Sequence, residues 1–134
     1  MSAPTDTRHL SVSIRQDARK AYDLLWRPES FPRWASGLAG SLRKVGPEWQ
    51  AETPEGPATV RFSEHNSFGV LDHWVRLASG TEIYIPLRLI RNGDGCELAL
   101  TLFRRPGITD QQFGADADWV RRDLLAAKKL LEGL

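Results

Sequence analysis

Apolar and polar residues alternate at the start of the chain. In His9 to Arg15 the apolar side chains are Leu10, Val12 and Ile14, two apart, which predicts a strand with one buried face. The spacing then changes to three and four. Ala18, Ala21, Tyr22 and Leu25 share one side of a helix over 18–26, with Asp17 placed as its N-cap. Pro28 ends that helix and suits the first position of a second short one, about 29–35. Residues 1–7 are small and polar and are expected to fray.

From Leu38 to Arg105 the chain reads as strands cut by turn residues, at 39–45, 48–53, 58–65, 70–77, 81–91 and 96–104. Asn92-Gly93-Asp94-Gly95 is the strongest hairpin signal. The turns suggest registers. Val75 should face Ile83, His73 should face Ile85, and Leu71 should face Leu87, with Trp74 opposite Tyr84 and Arg76 opposite Glu82 on the other side. Across the last hairpin, Leu89 should face Leu98, Leu87 should face Leu100, and Ile85 should face Leu102. One sheet face is then aliphatic, and the other mixes charge with Trp74, Tyr84 and Phe103. The C-terminal segment, about 110–131, carries Phe113, Ala117, Val120, Leu124, Ala127 and Leu131 as one apolar stripe. That stripe is the natural cover for the aliphatic face. Helices at the ends of a run of short-linked antiparallel strands make an α+β domain of about seven strands over residues 1–134.

Composition narrows the function. The 134 residues fit one domain, with 18 Lys plus Arg against 17 Asp plus Glu and a net charge of +1. Such a balance gives no support to nucleic-acid binding. One cysteine, Cys96, excludes an internal disulfide and a cysteine-based zinc site. The three histidines, His9, His65 and His73, have no metal-ligand spacing, so neither metal nor cofactor is expected. No apolar run is long enough to span a membrane and the first residues lack a signal-peptide core, so a cytoplasmic protein is expected.

A curved antiparallel sheet gripping a long C-terminal helix, with two small helices after the first strand, resembles the helix-grip fold. The stretches that carry the likeness are Pro28 to Trp34, Asn66 to Val75, Pro86-Leu87-Arg88, Glu97 to Gly107 and Asp116 to Leu131. They are similar to the SRPBCC superfamily, which includes START domains and polyketide cyclase/dehydrase-like proteins. The resemblance implies a cavity between sheet and helix that takes an apolar or amphipathic molecule. It implies no catalytic residue, because the superfamily shares no catalytic motif.

Side-chain parity combined with that resemblance gives the expected lining: Val60, Phe62, His73, Ile83, Ile85, Leu87 and Leu100 from the sheet, and Phe113, Ala117, Val120 and Leu124 from the helix. Trp34 and Trp49 would stand at the mouth, although large aromatics are more often plain core. His73 is the polar exception on the aliphatic face, so it needs a partner or a ligand. The competing role is a core histidine bonded to backbone or water. Asp72 lies next to it, but strand neighbours point to opposite faces. An exposed ion pair with Arg88, worth about 0–1 kcal/mol, is its expected role.

Three functions remain. The first is binding, with possible transport, of a small apolar or amphipathic molecule. The second is a polyketide cyclase or dehydratase reaction in which His73 or Glu64 moves protons; Glu64 shares the parity of Val60 and Phe62. The third is a protein-interaction module or homodimer through Trp74, Tyr84 and Phe103 on the outer face.

Overall fold

The computed structural model describes residues 3–36 and 42–134. Strand β1 (Thr7–Ile14) leads into helix α1 (Ala18–Leu25), where the Asp17 carboxylate accepts from the Lys20 amide as expected of the cap. The second short helix is a 3-10 helix, Pro28–Arg33. Pro32 inside it has no amide hydrogen to continue an α-helical ladder, and 3-10 turns suit such short pieces. Then come β2 (Arg43–Val45), β3 (Glu48–Thr53), β4 (Gly56–Phe62), β5 (His73–Leu77), β6 (Glu82–Ile85), β7 (Leu87–Asn92) and β8 (Gly95–Phe103). The chain ends on α2 (Asp110–Glu132), whose N-cap Thr109 accepts from the Gln112 amide. Residues 39–41 of the strand expected at 39–45 lie outside the described residues, and β2 forms its last three.

The strands form two antiparallel sheets, β1-β8-β7 and β2-β3-β4-β5-β6. Most expected registers hold: His73 faces Ile85, Trp74 faces Tyr84, Val75 faces Ile83, Arg76 faces Glu82, Leu87 faces Leu100 and Leu89 faces Leu98. The expected pair of Ile85 with Leu102 does not form, because Ile85 belongs to β6, which is not paired with β8. The strand expected at 81–91 is two strands, which raises the count from about seven to eight. Pro86 divides it, because proline cannot donate to the ladder. The next amide, that of Leu87, donates instead to the Asp72 carboxylate at 3.0 Å. Beyond the break the chain before β5 pairs with β7: the Leu71 amide donates to Leu87 and the Leu89 amide to Gly69, both at 2.8 Å.

Gly69 makes that second approach possible. Its φ is +72°, and a Cβ there would sit 2.2 Å from the Leu89 carbonyl oxygen. Asn66 shapes the same loop, its Oδ1 accepting from the amides of Phe68 and Val70.

The main core joins Leu10, Leu87, Leu89, Leu98 and Leu100 from the three-stranded sheet to Ala117, Leu124, Ala127 and Leu131 from α2. Tyr22, Leu25, Phe31 and Trp34 close one end of it. A second cluster, Ala51, Ala58, Val60, Val75 and Leu77, sits on the five-stranded sheet, and Phe62 touches both clusters.

Candidate functional site

A cavity of about 180 Å³ lies where the two sheets part. Strand β6 is the edge of the five-stranded sheet and is not hydrogen-bonded to β8. Ile83, Tyr84 and Ile85 all line the cavity. Successive strand residues face opposite sides of a sheet, so a space that touches three in a row reaches round the edge of β6. Leu102 and Phe103 do the same at the end of β8. The cavity therefore opens through the slot between β6 and β8. The Tyr84 and Phe103 rings stack at that slot with centroids 6.1 Å apart. Trp119 of α2 completes an aromatic rim and is 46% exposed.

The interior wall is largely apolar, from Phe31, Ala35, Leu100, Val120 and Leu124, and is interrupted by the polar groups of Trp34, His73 and Asp123. Trp34 is 5% exposed and His73 is 3% exposed. Trp34 Nε1 and His73 Nδ1 are the buried side-chain polar atoms that find no hydrogen-bond partner among the described residues. Both residues line this one cavity. Phe31 brings them to the same region, for its ring centroid is 5.1 Å from that of Trp34 and 5.1 Å from that of His73.

Burial pushes the His73 pKa down to about 4, against the smaller opposing pull of the Leu71 backbone and the Asp72 charge. The imidazole is therefore neutral at pH 7. Asp123 of α2 also lines the cavity. Burial pushes its carboxyl pKa up, partly offset by the Ser36 hydroxyl and amide, which donate to Oδ1 at 2.6 and 3.2 Å. Among the described lining residues there is no lysine or arginine.

Asp72 has the partner expected of it but not the exposure. It is 4% exposed and accepts from Arg88 Nε at 2.8 Å, Arg88 Nη2 at 2.9 Å, the Tyr84 hydroxyl at 2.7 Å and the Leu87 amide. Burial raises its pKa, yet the Arg88, Tyr84 and Leu87 donors outweigh that and hold the carboxyl below its ordinary range. The break at Pro86 explains the burial, since Asp72 supplies the acceptor that the interrupted ladder lacks. Its carboxylate also ties Tyr84 of β6 to Leu87 and Arg88 of β7, across the seam.

Of the residues expected from sequence to line or guard the cavity, the wall includes Trp34, His73, Ile83, Ile85, Leu100, Val120 and Leu124, and not the others. Trp49 and Val60 face each other in the second cluster. Phe62 stands behind His73, with ring centroids 6.1 Å apart. Leu87 and Ala117 are packed in the main core, and Phe113 is buried under the guanidinium groups of Arg8 and Arg104. Glu64 lies beyond the end of β4, so its strand parity does not apply, and it is exposed. Sequence reading placed Tyr84 and Phe103 on the outer face. It had no means of finding the slot that brings them, with Trp119, to the rim. Asp123 carried a legible signal: it follows Trp119 by four positions and precedes Leu124 directly, a carboxylate beside the apolar stripe.

No family model and no curated relative matches the chain. Solved structures do. The XoxI protein of Bacillus cereus superposes with a TM-score of 0.72 at 12% identity, over 93% of this chain and 94% of that one. The Aha1 dimer of Colwellia psychrerythraea gives 0.69 at 16% identity, over 95% and 96%. Ara h 8.0201 gives 0.67 at 8% identity, over 97% and 99%. At such identities the likeness speaks for the fold, which is consistent with a helix-grip arrangement. No helix among the described residues is long and apolar enough to cross a membrane.

Proposed function

We propose that this chain, read as a helix-grip protein of the SRPBCC type, binds a small apolar or amphipathic molecule in the cavity beneath the slot between β6 and β8. One observation carries the reading: Trp34 and His73 line one apolar cavity, and each has a buried ring nitrogen without a partner among the described residues. Buried polar groups are nearly always paired. Each one left unpaired costs about 1–3 kcal/mol. Two such atoms on one wall are well accounted for by an occupant that pairs with them. Ile83, Ile85, Leu100 and Val120 would supply the apolar contact.

Native mass spectrometry tests this. A mass excess over the 15.1 kDa chain, lost on denaturation, is the expected result. A bare chain whose melting temperature is also unmoved by a set of small neutral aromatic and alicyclic compounds overturns it.

A cyclase or dehydratase reaction is less well supported. Glu64 is exposed and off the cavity wall, which leaves His73 as the only one of the two proton-transfer candidates in place. A homodimer through the outer face has one supporting observation. Trp74, Tyr84 and Phe103 form a stacked row with centroids 5.3 and 6.1 Å apart. Light scattering that finds only a monomer at high concentration removes that reading.

A further inference from the structure

The cavity's size, polarity and charge together select a class of ligand. We infer that the occupant is a neutral, single-ring alcohol or phenol whose hydroxyl group pairs with Trp34 Nε1 and His73 Nδ1. This rests on the binding function proposed above.

Size sets the first limit. The cavity measures about 180 Å³, and a cavity of about 150 Å³ is known to accept benzene. One six-membered ring with a small substituent fills the space, and a long acyl chain would leave most of its length outside the slot.

Polarity sets the second. An indole nitrogen only donates, so the ligand must bring an acceptor to Trp34. Neutral His73 presents Nδ1 either as a donor or as an acceptor, according to tautomer. A hydroxyl oxygen accepts from the indole and is free either to donate its hydrogen to the imidazole or to accept from it. It therefore serves both tautomers, whereas a carbonyl serves one. Phe31 packs against both nitrogen-bearing rings, its centroid 5.1 Å from each.

Charge sets the third limit. No lysine or arginine lines the cavity among the described residues, His73 is neutral at pH 7, and Asp123 contributes a carboxyl group. A carboxylate ligand would be desolvated there without a counter-charge, which is costly. Carboxylic acids are therefore excluded at neutral pH, although their rings fit.

Three compounds separate these points: 4-methylphenol, toluene and benzoate, titrated calorimetrically at pH 7.5 into the wild-type chain, Trp34→Phe and His73→Phe. Circular dichroism confirms that each variant is folded. In the wild type, 4-methylphenol should bind about tenfold more tightly than toluene, the advantage expected of one net buried hydrogen bond, and benzoate should not bind. In each variant the advantage of the phenol should shrink towards parity while toluene still binds, which shows the cavity intact. Equal affinity for 4-methylphenol and toluene in the wild type overturns the inference. So does tight binding of benzoate, or a phenol preference that survives both substitutions. Failure of all three compounds to bind a wild-type chain that carries a bound molecule in native mass spectrometry also overturns the inference, whereas the same failure with a bare chain overturns the binding function itself.

Discussion

Trp34 and His73 each set an aromatic ring 5.1 Å from the centroid of Phe31, and each carries a buried nitrogen that no described residue meets. In a packed core that arrangement is pure cost. Beside a cavity, an occupant that paired with them would recover that cost.

The first expected outcome concerns pH. The His73 pKa is near 6.5 when unfolded and about 4 when folded. Between these values the unfolded chain takes up a proton that the folded chain refuses. Stability is therefore full above pH 6.5 and falls as pH drops towards 4. The loss from pH 7 to pH 5 should be about 2 kcal/mol on this account. Urea unfolding of the wild type and of His73→Phe at both values checks it. The variant should lack this part of the slope and be about 1 kcal/mol more stable at pH 7, having no orphaned nitrogen. Parallel pH dependences in the two proteins would sink the assignment.

Asp72 should matter far more than a surface ion pair. Asp72→Ala strands the Leu87 amide and the Tyr84 hydroxyl and removes both Arg88 bonds. A loss of about 3 kcal/mol is expected in chemical unfolding, at the low end for a buried pair because Arg88 is half-exposed and can be rehydrated. A loss under about 1 kcal/mol would mean that the seam holds without the clamp.

Filling the cavity should trade binding for stability. Val120→Phe adds volume on the α2 side of the cavity. A gain of about 0.5–2 kcal/mol, the usual range for cavity-filling changes, should accompany loss of 4-methylphenol binding. Unchanged binding would place the occupied site elsewhere.

Gly69→Ala should be among the most damaging single changes. The residue has a φ of +72°, and the added Cβ would meet the Leu89 carbonyl oxygen at 2.2 Å. The backbone must shift, and the 2.8 Å bond from the Leu89 amide to Gly69 is lost or bent. A cost above about 3 kcal/mol is expected from strain and the unmet bond together, read as a fall in melting temperature. A near-neutral variant would show that the loop has room to move.

Much of this was legible in the chain itself. The two-residue period put His73 opposite Ile85 and Leu87 opposite Leu100, and the Asn92–Gly95 turn fixed the last hairpin. The spacing of Phe113, Ala117, Leu124, Ala127 and Leu131 marked the buried side of α2. These follow from local rules: a strand alternates, a helix repeats every 3.6 residues, and a short turn sets its own register. The tertiary structure decided what those rules do not reach. Pro86 was visible, but not that breaking the strand there would draw Asp72 into the interior and leave β6 apart from β8. The cavity is the volume left where side chains from the 3-10 helix, three strands and α2 fail to meet. A space of that kind depends on distances between elements far apart in sequence, and so only the folded chain defines it.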